Sequence, residues 1–453
     1  MPRQRDPVAS LRAWGTQAGG VTYVGAHPFG AETVNRWRLG NGLTVLVLVD
    51  QSAPIACYHT WFKVGSRHER PGKTGLAHLF EHLMFNETEN LKAGAFDRKL
   101  EESGADTNAA TWVDWTYYYE LLPADRVKLA VKLEAERMAR LVLREPQVAS
   151  EKEVVANERR YRVDDDVEGA AGELLYKTAF VEHPYRWPTI GWMQDIQGFT
   201  PEDCAAFYRT YYAPNNATVV VVGDVRERDL LVAIRDAYAS IPSQPIPAED
   251  IVPEPYQREA RELEVRKPTA SQKLLLAFKG PALGDADHAT MTVLTEVLFG
   301  GRGSRLYRTL VVDREIATDL RGWVSTFRDP GLFECWATAR GAHTTREMQE
   351  GLEEGFVRAR ADVVTEEELD RAKARLELGA LQQLETIPGK AEQLGFYETV
   401  LGDPAHAFRR VEEFRRTTVG DLRRVARRYL VDEGRTIVRV VPEAAGAPAV
   451  AAQ

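Results

Sequence analysis

At 453 residues the chain exceeds the roughly 250–300 at which a single hydrophobic core stops growing, so two or more domains are expected. A composition of 44% hydrophobic and 28% charged residues excludes disordered and fibrous classes, and a formal charge of -9 argues against a nucleic-acid binder. The three cysteines, Cys57, Cys204 and Cys335, form neither a CxxC pair nor a disulfide framework.

The opening "MPRQRDPVASLRAWGTQAGG" lacks the apolar centre of a signal peptide, and no apolar run reaches the ~18 residues of a membrane span. The expectation is a protein without a membrane span, cytoplasmic as it stands and periplasmic if a leader has been removed. "TVNRWRLGNGLTVLVLVD" then places Asn41-Gly42 between two β-rich runs, a hairpin signal. "IACYHTWFKVGS" reads as a further strand, Gly75 to Phe85 as helical, and "AFDRKLEESG" as an amphipathic helix stopped by Gly104. "TNAATWVDWTYYYELLP", β-branched and aromatic, reads as one strand ending at Pro123. "DRVKLAVKLEAERMARLVL" and "SEKEVVANERRYRV" read as helices, and "PNNATVVVVGD" as a turn into a buried strand.

Five prolines in "SIPSQPIPAEDIVPEPY" mark a linker. Beyond it the pattern returns. "TPEDCAAFYRTYYAPNNATVVVV" from Thr200 aligns without a gap on "TVGDLRRVARRYLVDEGRTIVRV" from Thr418, pairing Asp203 with Asp421 and Tyr211 with Tyr429. The expected fold is therefore α+β with two homologous domains, each a mixed, mostly antiparallel sheet packed with helices. The bounds are 1–239, a linker at 240–256, a second domain at 257–445 without metal ligands, and a flexible tail at 446–453.

The run "TGLAHLFEHLMF" carries His78, Glu81 and His82 in five positions of an otherwise apolar helix. Two imidazoles four residues apart share a helix face and can hold one Zn²⁺, while a nearby carboxylate can take a proton from metal-bound water. The same pattern also fits an exposed helix edge or a polar core network. A third ligand must come from elsewhere. Glu151 and Glu158 in "SEKEVVANERR" are seven apart, two turns on one face, so one can ligate while the other orients a ligand or the water; Glu153 points elsewhere, and a solvated charged helix is the plain alternative. His59, His68 and His183 read as packing residues, and "FGGRGSRLY" lacks the lysine of a phosphate-binding loop.

Taken with "NGLTVLVLVD", "VGSRHERPGKTGLAHLFEHLMF", "SGADTNAATWVDWTYYYELLP", "LEAERMARL", "PTIGWMQDIQGFTPEDCAAFYRTYYAPNNATVVVVGDV" and "VLFGGRGSRLYRTL", the chain resembles the pitrilysin/insulinase-type zinc metallopeptidases. The likeness is to two-domain chains similar to mitochondrial processing peptidase β-subunits and their bacterial relatives. The resemblance implies that His78, His82 and Glu158 bind zinc, that Glu81 is the general base and that Glu151 is a supporting carboxylate. It also implies that an extended peptide substrate adds as a strand to "TNAATW", facing Asn108 and Ala109.

One departure stands out. Active members of the family usually carry an arginine and a tyrosine seven positions apart in the second domain, holding the substrate carbonyl. Aligning "SRLYRTLVVDREIATDL" puts Val311 and Thr318 there. The expectation drawn is a zinc-dependent endopeptidase working on extended or unfolded peptides in an enclosed chamber. It would be the zinc-bearing subunit of a heterodimer whose homologous partner lacks the zinc motif and supplies the arginine–tyrosine pair. A self-sufficient homodimer and a non-catalytic scaffold subunit are the alternatives. Peptide debris, a leader peptide and a protein presequence all suit such a site.

Overall fold

The computed structural model describes residues 20–361 and 364–443. The first sheet has the order β1-β2-β3-β7-β4-β6-β5. Its strands are β1 (Val21–Phe29), β2 (Glu32–Leu39), β3 (Thr44–Val49), β4 (Ile55–Phe62), β5 (Asp106–Thr111), β6 (Thr116–Pro123) and β7 (Ala217–Gly223). The second, ordered β10-β11-β9-β12-β8, contains β8 (Arg261–Lys267), β9 (Lys273–Lys279), β10 (Ala317–Val324), β11 (Leu332–Ala339) and β12 (Arg435–Pro442). Each sheet has a single parallel pair, β3 with β7 and β8 with β12. Exchanging β10, β11, β9, β12 and β8 for β5, β6, β4, β7 and β3 converts the second order into part of the first, so the second sheet repeats the first without β1 and β2.

The repeat extends to the helix caps. Thr200 and Thr418 each accept from the backbone N–H three residues on, and the side chains of Asp203 and Asp421 each accept from the N–H of the threonine. A short 3₁₀ turn follows in both halves, Pro214–Asn216 and Asp432–Gly434, and leads into β7 and β12. The α+β class with mixed, mostly antiparallel sheets is thus present in both halves.

The chain's packing divides into two units, and neither is continuous in sequence. One takes in the chain up to Ala156, Thr189–Asp250 and Ala380–Arg409; the other takes in Asn157–Pro188, Ile251–Gly379 and the chain from Arg410. They differ from the domains expected at 1–239 and 257–445 because two helical segments pack against the sheet of the other half. Helix Val167–Ala179 lies on β8, β9 and β12, and helix Ile387–Leu401 lies on β4 and β7. These are counterparts: their N-cap side chains, Asp166 and Thr386, accept from the N–H of Gly169 and Gly389. A Cβ on either glycine would stand 1.9 Å from a backbone carbonyl oxygen, of Arg162 or of Gln383.

This exchange explains why β7 reads as a continuous apolar run. It is central in its sheet, and Val219, Val220, Val221 and Val222 are all fully buried. The covering helix comes so close that a Cβ on Gly395 would lie 1.9 Å from the Trp61 indole nitrogen.

Two further readings change in detail. "TNAATWVDWTYYYELLP" is a hairpin, β5 and β6, rather than one strand; the turn is closed by the Trp112 N–H donating to Trp115 O at 2.9 Å, and its Asp114 is held by Arg67 at 3.2 Å. Asp114 is the one turn-favouring residue there, a weaker signal than a glycine-bearing turn. The 240–256 stretch has no regular element, but its Glu249 reaches Arg67 (3.5 Å) and His68 (3.7 Å), strapping it to the loop before the HLFEH helix. The expected tail at 446–453 lies outside the described residues.

Candidate metal centre

The HLFEH helix spans Leu76–Leu83 and begins at Gly75 with φ +90°, a conformation that favours glycine. Gly75 could not be larger in any case. Its Cβ would lie 2.4 Å from Ile190 O, and a Cβ on Gly191 would lie 2.2 Å from Thr74 O. Two glycines let the loop at 190–191 pass over the helix start. In place of an N-cap side chain, the helix uses Glu69, whose carboxylate accepts from the N–H groups of Gly75 (2.8 Å) and Ala77 (2.7 Å). Burial pushes the Glu69 carboxyl well above the usual range, and those two N–H donors oppose the push. Asp195 ties the preceding residue by accepting from both the N–H (3.1 Å) and the hydroxyl (2.7 Å) of Thr74.

Leu76, Ala77, Leu79, Phe80 and Leu83 turn into the first core, leaving His78, Glu81 and His82 half-buried along the opposite face. Behind the helix, the buried Arg137 guanidinium lies over the rings of Phe85, Phe96 and Tyr118 at 5.3, 4.6 and 4.3 Å and pairs with Glu120 and Glu134. The "LEAERMARL" stretch therefore supplies a buried ion network that packs on Phe85, two residues past the end of this helix. Burial holds the phenols of Tyr117, Tyr118 and Tyr212 above their ordinary range, and the Glu81 carboxylate is one of the smaller charges that add to it.

The second donor element is the helix Glu145–Arg159, which continues into a π-helical turn at Arg160–Asp164. The division between the two units passes between Ala156 and Asn157, inside this one helix. Glu158 stands one residue before its end. One donor atom each from His78, His82 and Glu158 lie within 4.8 Å of one another, and all three residues are half-buried. Bonds of about 2.0–2.2 Å to a tetrahedral ion would put the donors about 3.4 Å apart, so modest side-chain adjustment brings this set to zinc. Two imidazoles and a carboxylate are also the donor types of a catalytic zinc site with one position open.

Glu151, two turns earlier, is placed differently. Its carboxylate lies 3.7 Å from His82 Nδ1 and accepts from the Asn86 amide at 3.3 Å. A carboxylate at one imidazole nitrogen orients the ring and leaves the other nitrogen for a metal. Between the two glutamates that the sequence left open, the geometry puts Glu158 with the histidines and Glu151 behind His82.

β5 forms one edge of the first sheet and packs beside the HLFEH helix. Asn108 is exposed on it, its side chain accepting from the Ala109 N–H at 2.9 Å, and Ala109 packs partly against the first core. In the second half, Val311 is buried in the apolar core and the Thr318 hydroxyl donates to Thr338 O at 3.3 Å, so neither position offers a cation. His59, His68 and His183 lie outside the donor cluster; His183 accepts from the Tyr185 N–H at 3.1 Å and sits 3.1 Å from Asp329.

Two family models account for most of the chain. Residues 44–191 match the model described as insulinase (peptidase family M16), and residues 198–376 match the peptidase M16 inactive domain. The chain belongs to the M16 peptidase family. Zinc protease PqqE of Helicobacter pylori is 31% identical over 411 residues, 89% of this chain and 92% of that protein. A probable mitochondrial-processing peptidase subunit beta of Arabidopsis thaliana is 25% identical over 436 residues, 92% of this chain and 80% of that one. The crystal structure of a Helicobacter pylori protease superposes with a TM-score of 0.87 at 31% identity, covering 90% of this chain and 99% of the other. Membership brings the two-domain, pitrilysin-type organisation with it.

Two features at the site escaped the sequence reading. Glu69 caps the HLFEH helix from six residues away, a spacing that no local motif signals. Arg162 places its Nε 3.0 Å from Glu158 Oε1, an i,i+4 ion pair across the end of the helix.

Proposed function

We propose that the chain is a zinc-dependent endopeptidase acting on extended or unfolded peptides. The observation that carries this reading is the convergence of His78, His82 and Glu158 donor atoms within 4.8 Å, with Glu81 on the same helix face. Zinc held by these three residues would supply Lewis acidity and a bound water of pKa about 7. Glu81 takes the proton released as water oxygen bonds to the scissile carbonyl carbon, then delivers it to the amine nitrogen as the C–N bond breaks. Glu151 keeps the His82 ring oriented. An extended substrate adds along β5, its main chain pairing with the edge, with Asn108 and Ala109 facing it.

Two arrangements complete the site. The family resemblance supports a homologous partner that brings an arginine and a tyrosine, the pair enclosing peptides in a chamber. A self-sufficient homodimer is the alternative. The test of the class is zinc content and cleavage of a quenched peptide library by the intact chain, its Glu81→Gln variant and its His78→Ala variant. Cleavage and zinc in wild type, zinc without cleavage in Glu81→Gln and neither in His78→Ala are expected. Wild-type protein that takes up no zinc would end this reading.

A further inference from the structure

We infer that Glu173 is a positioning residue for the metal site: through Arg159 it fixes the end of the helix that carries Glu158, and so sets how tightly the chain holds zinc. The inference rests on the reading of the site as a zinc centre and deepens it, since it concerns a residue outside the donor cluster.

The third donor has a placement problem that the other two lack. His78 and His82 ride on a helix whose apolar face is packed into the first core. Glu158 stands one residue before the regular helix gives way to the turn Arg160–Asp164. From Asn157 to Asp166, Arg159 is the one buried residue, so packing of apolar side chains does not hold this stretch. What holds it is charge. Arg159 grips the Glu173 carboxylate with two nitrogens at 2.7 and 3.0 Å and lies 3.5 Å from Asp164. A two-pronged guanidinium–carboxylate pair fixes direction as well as distance, and the backbone of Glu158 is the next link in the chain.

Glu173 is itself on a firm base. Its helix, Val167–Ala179, lies on β8, β9 and β12. Glu168 at one end accepts from Lys273 at 2.8 Å, and at the other Arg261 donates to the carbonyls of Thr178 and Ala179 at 3.0 and 2.8 Å. Glu158, Arg159, Glu173 and the second sheet thus form one connected path within a single packing unit.

The other half of the repeat supplies a comparison. A pair that merely joined two successive helices would have the same use there. Matching Gly169 to Gly389, and the carbonyls of Arg162 and Gln383 against which they pack, sets Gly379 and Ala380 opposite Glu158 and Arg159, and Gln393 opposite Glu173. The half without the donor set lacks both members of the pair as well as the ligand.

The experiment compares the full chain with Glu173→Gln, Glu158→Ala and the double variant, measuring zinc affinity by chelator competition and hydrogen exchange of the zinc-free protein. Glu173→Gln should weaken zinc about ten-fold, the low end of what loss of a supporting group costs. Because the effect passes through Glu158, adding Glu173→Gln to Glu158→Ala should change the residual affinity by no more than about two-fold. Exchange should quicken over residues 155–164 while the second sheet keeps its protection. Glu173→Asp, which keeps the charge at shorter reach, takes the place of Glu173→Gln should that variant not fold, with a smaller loss in the same pattern. The proposal is overturned by Glu173→Gln holding zinc within about two-fold of wild type, by an equal loss in the Glu158→Ala background, or by exchange quickening across the second sheet as well. Failure of the underlying reading shows separately: wild type then takes up no zinc, or Glu158→Ala holds it as tightly as wild type.

Discussion

Glu81 and Glu69 lie at opposite ends of one eight-residue helix and carry opposite kinds of cost. Glu81 is half-buried, and if it is the proton acceptor proposed above, its loss removes that group. Replacing it by glutamine should lower kcat by about 10²–10⁴, the usual worth of a positioned acid–base group, while zinc content by atomic absorption stays at the wild-type level. Glu69 is buried, and its loss strands the N–H groups of Gly75 and Ala77. Glu69→Ala should destabilise the fold by about 2–4 kcal/mol in denaturant unfolding and weaken zinc uptake with it, because the histidines ride on that helix. The HLFEH spacing was legible because i, i+4 geometry is local. Periodicity alone did not choose between Glu151 and Glu158, since two turns of one helix look alike until a partner helix is placed beside them; the family resemblance made that choice.

Between elements, the exchanged helices set the terms. Helix Ile387–Leu401 is held on the first sheet by Lys390, which donates to Asp50 at 2.7 Å and to Glu32 at 2.9 Å. Burial alone would raise the Asp50 carboxyl, but the bonds from Lys390 and Ser52 bring it down to about 2. A carboxyl lowered in the folded state stabilises above its ordinary value of 3.8 and loses that contribution as pH falls toward 2. Asp50→Asn should therefore lower the opening free energy of this helix by about 1–2 kcal/mol at neutral pH, read by hydrogen exchange, and flatten its acid limb. Gly395→Ala attacks the same contact sterically and should cost about 1–3 kcal/mol or more, because Trp61 cannot retreat from a fully packed sheet face. The four valines of β7 announced a strand buried on both faces; nothing in their sequence said that the second cover would arrive from residues 387–401. Exchange of this kind is a tertiary event, invisible to any window of local pattern.

At the scale of the whole chain, the repeat was legible because the same capped helix, 3₁₀ turn and strand recur at matching spacing, 200–223 against 418–442. The two halves then differ: two helices of the first bring His78, His82 and Glu158 together, while in the second Val311 is core and Thr318 a neutral neighbour of a strand. If the chain is the zinc peptidase proposed above, then with Val311 and Thr318 in place of the arginine–tyrosine pair it either relies on a second subunit for charge stabilisation or carries its own. The two arrangements differ in one measurable ratio. If charge stabilisation must come from a partner, mixing this chain with a homologous chain that bears the pair should raise Glu81-dependent turnover by about 10²–10³, the worth of the missing donor. If the chain supplies its own, the chain alone should already reach within about ten-fold of the mixture. Sedimentation of each sample alongside the assay assigns the activity to a species.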